Sequence, residues 1–328
     1  MATDESVEEI PHEEKLERIR TLDQPLSAIE RFLQSRDKEV PTRNDRFKSE
    51  VASRLSSDKV KKLVSQYKYA GRQTLNYFIV EGISELELSS IREKVESRLP
   101  EQEDINTPPV YKRPFLAETE RVGPRLYLAI AYYEEADSED PATGKKEQVS
   151  VTTRAVVVVH KGWDLIEIRG SDVNMVERIR DEVCDAIETY RPDERRRANF
   201  GAEFQKVFNK TVETYYNLQV RVDDQKGTTL DTIHFTSRED DEGNRQDARQ
   251  DERVRTELDE RGGEITKGYV ELSEGLRFRI NREQGKLSFT KAEMEENING
   301  VTEVVHDVLQ QTGEYSRGEV SGLSDVPE

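Results

Sequence analysis

Side chains suited to acid–base or metal chemistry are sparse in this chain: His12, His160, His234, His306 and one cysteine, Cys184. No two histidines stand in HExxH spacing, and a lone cysteine excludes both an internal disulfide and a cysteine-based zinc site. His160 and Asp164, either side of the turn Lys161-Gly162, are the one pair that would form an acid–base couple near a sheet edge. The plainer and favoured reading makes His160 a strand-end histidine beside an exposed Trp163. His234 alternates with Ile233 and Phe235 and is expected to face solvent, while His306 lies beside an apolar helical stripe as a surface or cap residue. Cys184, past the middle of a helix, lacks the helix N-terminus that lowers a thiol pKa and reads as a small buried side chain. GxxxxGK[ST] and GxGxxG are absent, and Gly262-Gly263 precedes a strand, the wrong order for cradling phosphate at a helix N-terminus. The acidic run 239–243 lacks calcium-loop spacing. No catalytic residue, metal site or cofactor is assigned.

Two basic clusters remain. Residues 42–72 carry nine Lys/Arg against three Asp/Glu, a net charge of +6 in a chain whose total is −18. The nucleic-acid-binding candidates are Arg43, Arg46, Lys48, Lys59, Lys61, Lys62, Lys68, Arg72 and Gln73, interleaved with Tyr67 and Tyr69. Lys68, Arg72 and Gln73 open the third helix expected in this region, as recognition residues would. The second cluster, Arg195, Arg196 and Arg197, joins the candidate set. The competing reading pairs all these cations with the protein's own acidic surface.

The rest of the composition bears on environment. Asp plus Glu number 68, and the 50 basic residues comprise 18 Lys and 32 Arg. Acid excess with few lysines fits a protein adapted to very high salt, where at about 1 M the Debye length shrinks to about 3 Å and repulsion across an acidic surface is suppressed. The same screening constrains the basic clusters. With about six phosphate contacts, affinity would fall by roughly seven orders of magnitude between about 0.15 M and about 3 M salt. Charge alone therefore cannot hold nucleic acid there; bidentate Arg contacts, shape fit or apolar contact must contribute. No apolar run approaches the roughly 18 residues of a membrane span. The acidic first eleven residues do not resemble a signal peptide, so a soluble cytoplasmic protein is expected.

Hydrophobic content is 34%, yet the apolar residues cluster in periodic segments able to build a core. Residues 1–12 are expected to be a disordered acidic tail and 13–41 a helical arm with stripes Leu16/Ile19/Leu22 and Leu26/Ile29/Phe32/Leu33. Residues 42–99 are expected to be a four-helix basic bundle, helix-turn-helix-like. Its stripes are Phe47/Val51/Leu55, Val60/Leu63/Val64/Tyr67, Leu75/Phe78/Ile79 and Leu88/Ile91/Val95. The charged, Pro108-Pro109-containing segment 100–110 is expected to be a linker. Residues 111–312 change to strand-like alternation and are expected to form a larger α+β domain of antiparallel hairpins. A polar hairpin loop is expected over 134–146, a Ser171-capped helix after the third strand, and a solvated segment over 238–261. Two helices, Val176/Ile179/Val183/Ile187 and Ile298/Val301/Val305/Leu309, share 3-4-4 spacing after hairpins, which hints at two β-β-α units and a duplication. Residues 313–328 are expected to be a disordered tail.

The expected fold class is therefore α+β, with an N-terminal helical bundle. The expected function is a non-enzymatic regulatory or chromosome-associated protein of a salt-adapted cytoplasm. Its partners would be DNA at the basic module and a protein or second copy at the α+β domain. The alternatives are a scaffold whose basic module docks an acidic partner, and an enzyme of unknown class.

Overall fold

A computed structural model describes residues 10–20, 22, 26–34, 36, 38–70, 73–100, 113–139, 146–187, 195–222, 232–237, 246–272 and 276–315. The fold class is α+β. The chain divides into two compact units, one of residues 1–73 and 289–303, the other of 74–288 and 304–328. Residues 101–110 of the expected linker 100–110 lie outside the described residues, as do 1–9 of the expected tail 1–12 and 316–328 of the expected tail 313–328; His12 instead begins a helix.

The smaller unit is helical: α1 (His12–Arg20), α2 (Leu26–Gln34), α3 (Phe47–Arg54) and α4 (Ser57–Tyr67). The 3-4 spacing of apolar residues points Ile19, Ile29, Phe32, Leu33, Phe47, Val51, Val60, Leu63 and Tyr67 into one cluster, joined by Ala292. Each such side chain, fully buried, stabilises by roughly 1.5–3 kcal/mol before ordering entropy is subtracted. Polar side chains close the gaps: Lys15 Nζ donates to the Leu55 carbonyl at 3.0 Å, and Ser57 Oγ accepts from the Ile10 N–H at 2.6 Å. The chain turns from α3 to α4 at Leu55, whose backbone is extended.

The third helix expected in the basic bundle is instead a strand. Thr74–Val80 forms β1, buried at every position after the first. Leu75, Phe78 and Ile79 match helical spacing, but the segment is rich in aromatic and β-branched residues and is buried on both faces, as only a central strand is. It belongs to the larger unit, together with α5 (Leu88–Arg98), the expected fourth helix.

The larger unit continues with β2 (Phe115–Val122), β3 (Arg125–Glu139), β4 (Lys146–His160), β5 (Leu165–Arg169), α6 (Val173–Ile187), β6 (Arg195–Arg197), α7 (Ala202–Phe208), β7 (Val212–Arg221) and β8 (Thr232–Thr236). After α8 (Glu252–Arg255) come β9 (Glu264–Leu272), β10 (Leu276–Asn281), β11 (Lys286–Phe289) and α9 (Glu295–Gln311), of which residues 295–303 belong to the smaller unit. Among the described residues, eleven strands form one sheet in the order β2-β3-β4-β5-β1-β11-β10-β9-β7-β8, with β6 also on β1. The pairings are antiparallel, as expected of hairpins.

Alternation in β3, β4, β5 and β1 sends Leu126, Leu128, Ile130, Val157, Val159, Ile166, Ile168, Phe78 and Val80 to one face. The stripes Leu88/Ile91/Val95 of α5 and Val176/Ile179/Val183/Ile187 of α6 complete that core. The expected loop over 134–146 is corrected: β3 and β4 stay paired from Arg125↔His160 out to Glu139↔Lys146, because polar residues are compatible with a strand that reaches past the core. The cap of α6 is Asp172 rather than Ser171. Its carboxylate accepts from the N–H groups of Asn174 at 2.9 Å and Met175 at 3.2 Å, two donors the helix leaves unpaired. In 238–261, expected to be solvated, the described part is anchored by Ala248 and Val254, both buried. Among the described residues no helix is long and apolar enough to cross a membrane.

Candidate nucleic-acid interface

In α4, Ser57, Val60, Leu63 and Tyr67 are buried, and this spacing turns Lys61, Lys62 and Ser65 outward with Lys59 half-buried beside them. Lys68 caps the helix C-terminally, its amine 5.0 Å from the centre of the Tyr69 ring. Other island residues are engaged nearby. Arg43 pairs with Glu30, which raises the guanidinium pKa and lowers that of the carboxylate. Lys48 donates to the Leu22 carbonyl at 3.2 Å, and Arg54 to that of Glu39 at 2.9 Å while facing the Glu50 carboxylate at 3.5 Å. Gln73 donates to the Ala70 carbonyl at 3.1 Å. Arg46 is exposed and uses its backbone N–H on Asn44 Oδ1. Arg72 lies outside the described residues. Arg46, Lys59, Lys61 and Lys62 thus make no ion pair among the described residues.

Arg195, Arg196 and Arg197 sit on β6 and act as struts within the larger unit. Arg195 meets Asp185 at 2.6 Å, and Arg196 meets Glu314 at 2.9 Å. Arg197 reaches Asn76 Oδ1 at 3.1 Å, the Gln284 carbonyl at 2.8 Å and Glu177 at 3.3 Å, over the ring of Phe78.

The His160/Asp164 couple is not assembled. Asp164 Oδ1 accepts from the Ser84 N–H at 3.0 Å, which ties the segment after β1 to the turn before β5. His160 is buried, and desolvation first, then the cations Arg125 and Arg169, pushes its pKa down to about 3. It stacks on Trp163 at 4.4 Å. His306, expected at the surface, is half-buried: it stacks on the same indole, and its Nδ1 lies 2.6 Å from the Tyr315 hydroxyl. Cys184 is fully buried, and burial raises its thiol to about 12, so it is not a nucleophile.

A second polar constellation lies on the solvent-facing side of β7, β8, β9 and β10. Strand register aligns His234, Gln219, Lys267 and Asn281 in one row, and Thr236, Asn217, Tyr269 and Arg279 in the next. An open groove of about 230 Å³ is lined by Asn217, Gln219, His234, Lys267, Tyr269 and Arg279. Tyr269 keeps 37% of its surface exposed, with the Arg279 guanidinium 5.9 Å from its ring centre. Lys286 on neighbouring β11 has its pKa lowered by desolvation, then by Arg197, Arg279 and Lys267, so the cations here are concentrated enough to repel one another. Lys267 approaches Glu283 at 3.8 Å, whereas Arg279 and Lys286 make no ion pair among the described residues. This face is not among the sites expected from sequence. Its signal is the alternation Lys267-x-Tyr269-x-Glu271 followed by Arg277-x-Arg279 on two adjacent strands, with Arg277 paired to Glu271 at 3.1 Å. No known protein family matches the chain, and no curated protein is similar to it.

Proposed function

We propose that the protein is a non-enzymatic regulatory or chromosome-associated protein of a high-salt cytoplasm, in which the outward face of α4 contacts DNA phosphates. In this reading the larger unit, with its β4-β5-α6 and β10-β11-α9 segments as duplicated β-β-α units, mediates dimerisation or partner contact. The supporting observation is that Lys59, Lys61 and Lys62 share the outer surface of one helix without acidic partners among the described residues, in a chain of net charge −18 where neighbouring cations such as Arg43 and Arg54 are paired. A cluster left unpaired amid so many carboxylates is available to an external anion. Arg195, Arg196 and Arg197 take no part in this contact, since their guanidinium groups already serve internal acceptors. The enzyme alternative loses its one named couple, because Asp164 is held by Ser84 and His160 is buried and neutral.

The test is a fluorescence-anisotropy titration of labelled duplex DNA over a KCl series, with wild type and a Lys59→Gln/Lys61→Gln/Lys62→Gln variant. Each lysine that meets a phosphate contributes about 0.9 to the slope of log affinity against log salt, so the variant should flatten it by about 2–3. Identical slopes and affinities for the two proteins would defeat the reading.

A further inference from the structure

We infer that the outward face of β7, β9 and β10 is a second binding site, for single-stranded nucleic acid, centred on Tyr269. This site lies wholly in the larger unit and does not depend on the α4 reading.

Three observations converge. First, Tyr269 presents an exposed aromatic ring in the middle of a polar row, between Asn217 on β7 and Arg279 on β10. An exposed ring on a sheet is a stacking platform for an unpaired base, because every base offers a π-face. Second, the cations gathered here, Lys267, Arg279 and Lys286, are placed to follow a phosphate backbone, and two of them make no ion pair among the described residues. Third, the side chains of Asn217 and Gln219 line the same groove. Side-chain amides carry both donor and acceptor, as base edges require.

An acidic peptide would satisfy the cations but would leave the ring and the amides unused. A duplex is a poorer match, since its base faces are already stacked on each other and cannot reach Tyr269. The salt argument favours the same occupant. Counterion release contributes little at molar salt, whereas stacking on an aromatic ring does not depend on net charge. A protein adapted to such salt would hold nucleic acid through contacts of this kind.

The experiment uses the full chain and fluorescein-labelled single strands of about 12 nucleotides, as DNA and as RNA, beside the same sequence as a duplex, at about 0.2 M and about 2 M KCl. In a Lys59→Gln/Lys61→Gln/Lys62→Gln background, which removes the proposed α4 contact, single strands should bind more tightly than the duplex at both salts. Tyr269→Ala should weaken single-strand binding about tenfold or more, and Tyr269→Phe, which keeps the ring, should preserve it. Arg279→Gln with Lys286→Gln should weaken binding mainly at the lower salt. The Tyr269→Ala loss should be the same with and without the Lys59→Gln/Lys61→Gln/Lys62→Gln substitutions on α4, so failure of the α4 reading leaves this one standing. Whichever strand binds more tightly, DNA or RNA, identifies the natural source. The inference is overturned if Tyr269→Ala binds as its parent does, if the duplex binds as well as the single strands once the α4 lysines are substituted, or if poly-glutamate displaces them at equal charge concentration.

Discussion

The indole of Trp163 lies parallel to the imidazole of His306, ring centroids 3.9 Å apart and planes within 7°. His160 stacks on the same indole, so two histidines share one aromatic partner, and its Nε2 has no hydrogen-bond partner among the described residues. The arrangement requires a neutral His160, whose pKa falls from 6.5 to about 3 through burial and then through Arg125 and Arg169. With the folded value depressed, only the unfolded chain takes up this proton below its ordinary value. The contribution is therefore complete above about pH 6.5 and is lost as pH falls toward about 3. By pH 5 the loss should be about 2 kcal/mol. Denaturant titrations of wild type and His160→Phe, from pH 7.5 downward, should show a flatter curve for the variant. Parallel curves would mean that His160 is not the group responsible.

Glu167 and Arg169 occupy one face of β5, opposite Ile166 and Ile168, with both side chains fully buried and the Arg169 Nε donating to Glu167 Oε1. The Arg169 guanidinium also lies 5.8 Å from the centre of the Tyr127 ring. Glu167→Gln removes the carboxylate charge that the buried Arg169 guanidinium meets and should cost about 3–5 kcal/mol in a denaturant titration. Replacing both, as Glu167→Leu with Arg169→Met, should cost less than the single change. A single variant within about 1 kcal/mol of wild type would show that the pair is not held as described.

Gly285 turns β10 into β11 with φ +52°, and a Cβ there would stand 2.6 Å from the Ala198 carbonyl oxygen. Gly285→Ala meets both a backbone penalty of about 1–2 kcal/mol and a backbone atom that cannot swing aside. The thermal midpoint should fall by about 4 °C or more, given a destabilisation above about 2 kcal/mol in a chain this long. An unchanged midpoint would show that the turn relaxes freely.

Much of this fold is legible in the residues. The stripes of α3, α4, α6 and α9 and the alternation of β3, β7 and β10 follow from period alone. The error at β1 is instructive: a strand buried on both faces has no alternation to display, so Leu75/Phe78/Ile79 passes for a helical stripe. Length and the run Tyr77-Phe78-Ile79-Val80 were the better guide. The extension of β3 through Glu134 and Glu135 was hidden because the period weakens where a strand outruns its core. Sites are harder to read than elements. The basic island is contiguous in sequence and was visible at once. Lys267, Tyr269, Arg279 and Asn217 become neighbours only through the register of three strands, which local sequence does not specify.

The place of β1 in the sheet has a consequence for biosynthesis. Thr74 and Ser288, cross-strand neighbours whose hydroxyls lie 3.1 Å apart, are 214 residues apart in sequence. One edge of β1 can pair with β5 and the Phe78–Val80 end of the strand with β6 soon after the first half of the chain emerges, but the Thr74–Asn76 end must wait for β11. At ribosomal rates of about 5–20 residues per second, that wait is about 10–40 s. For that interval the Thr74–Asn76 end of an apolar strand keeps unsatisfied backbone groups along one side, the template for intermolecular strand addition. The pairing with Lys286–Phe289 closes that segment of edge, so strand addition between chains is expected to be easiest before it forms.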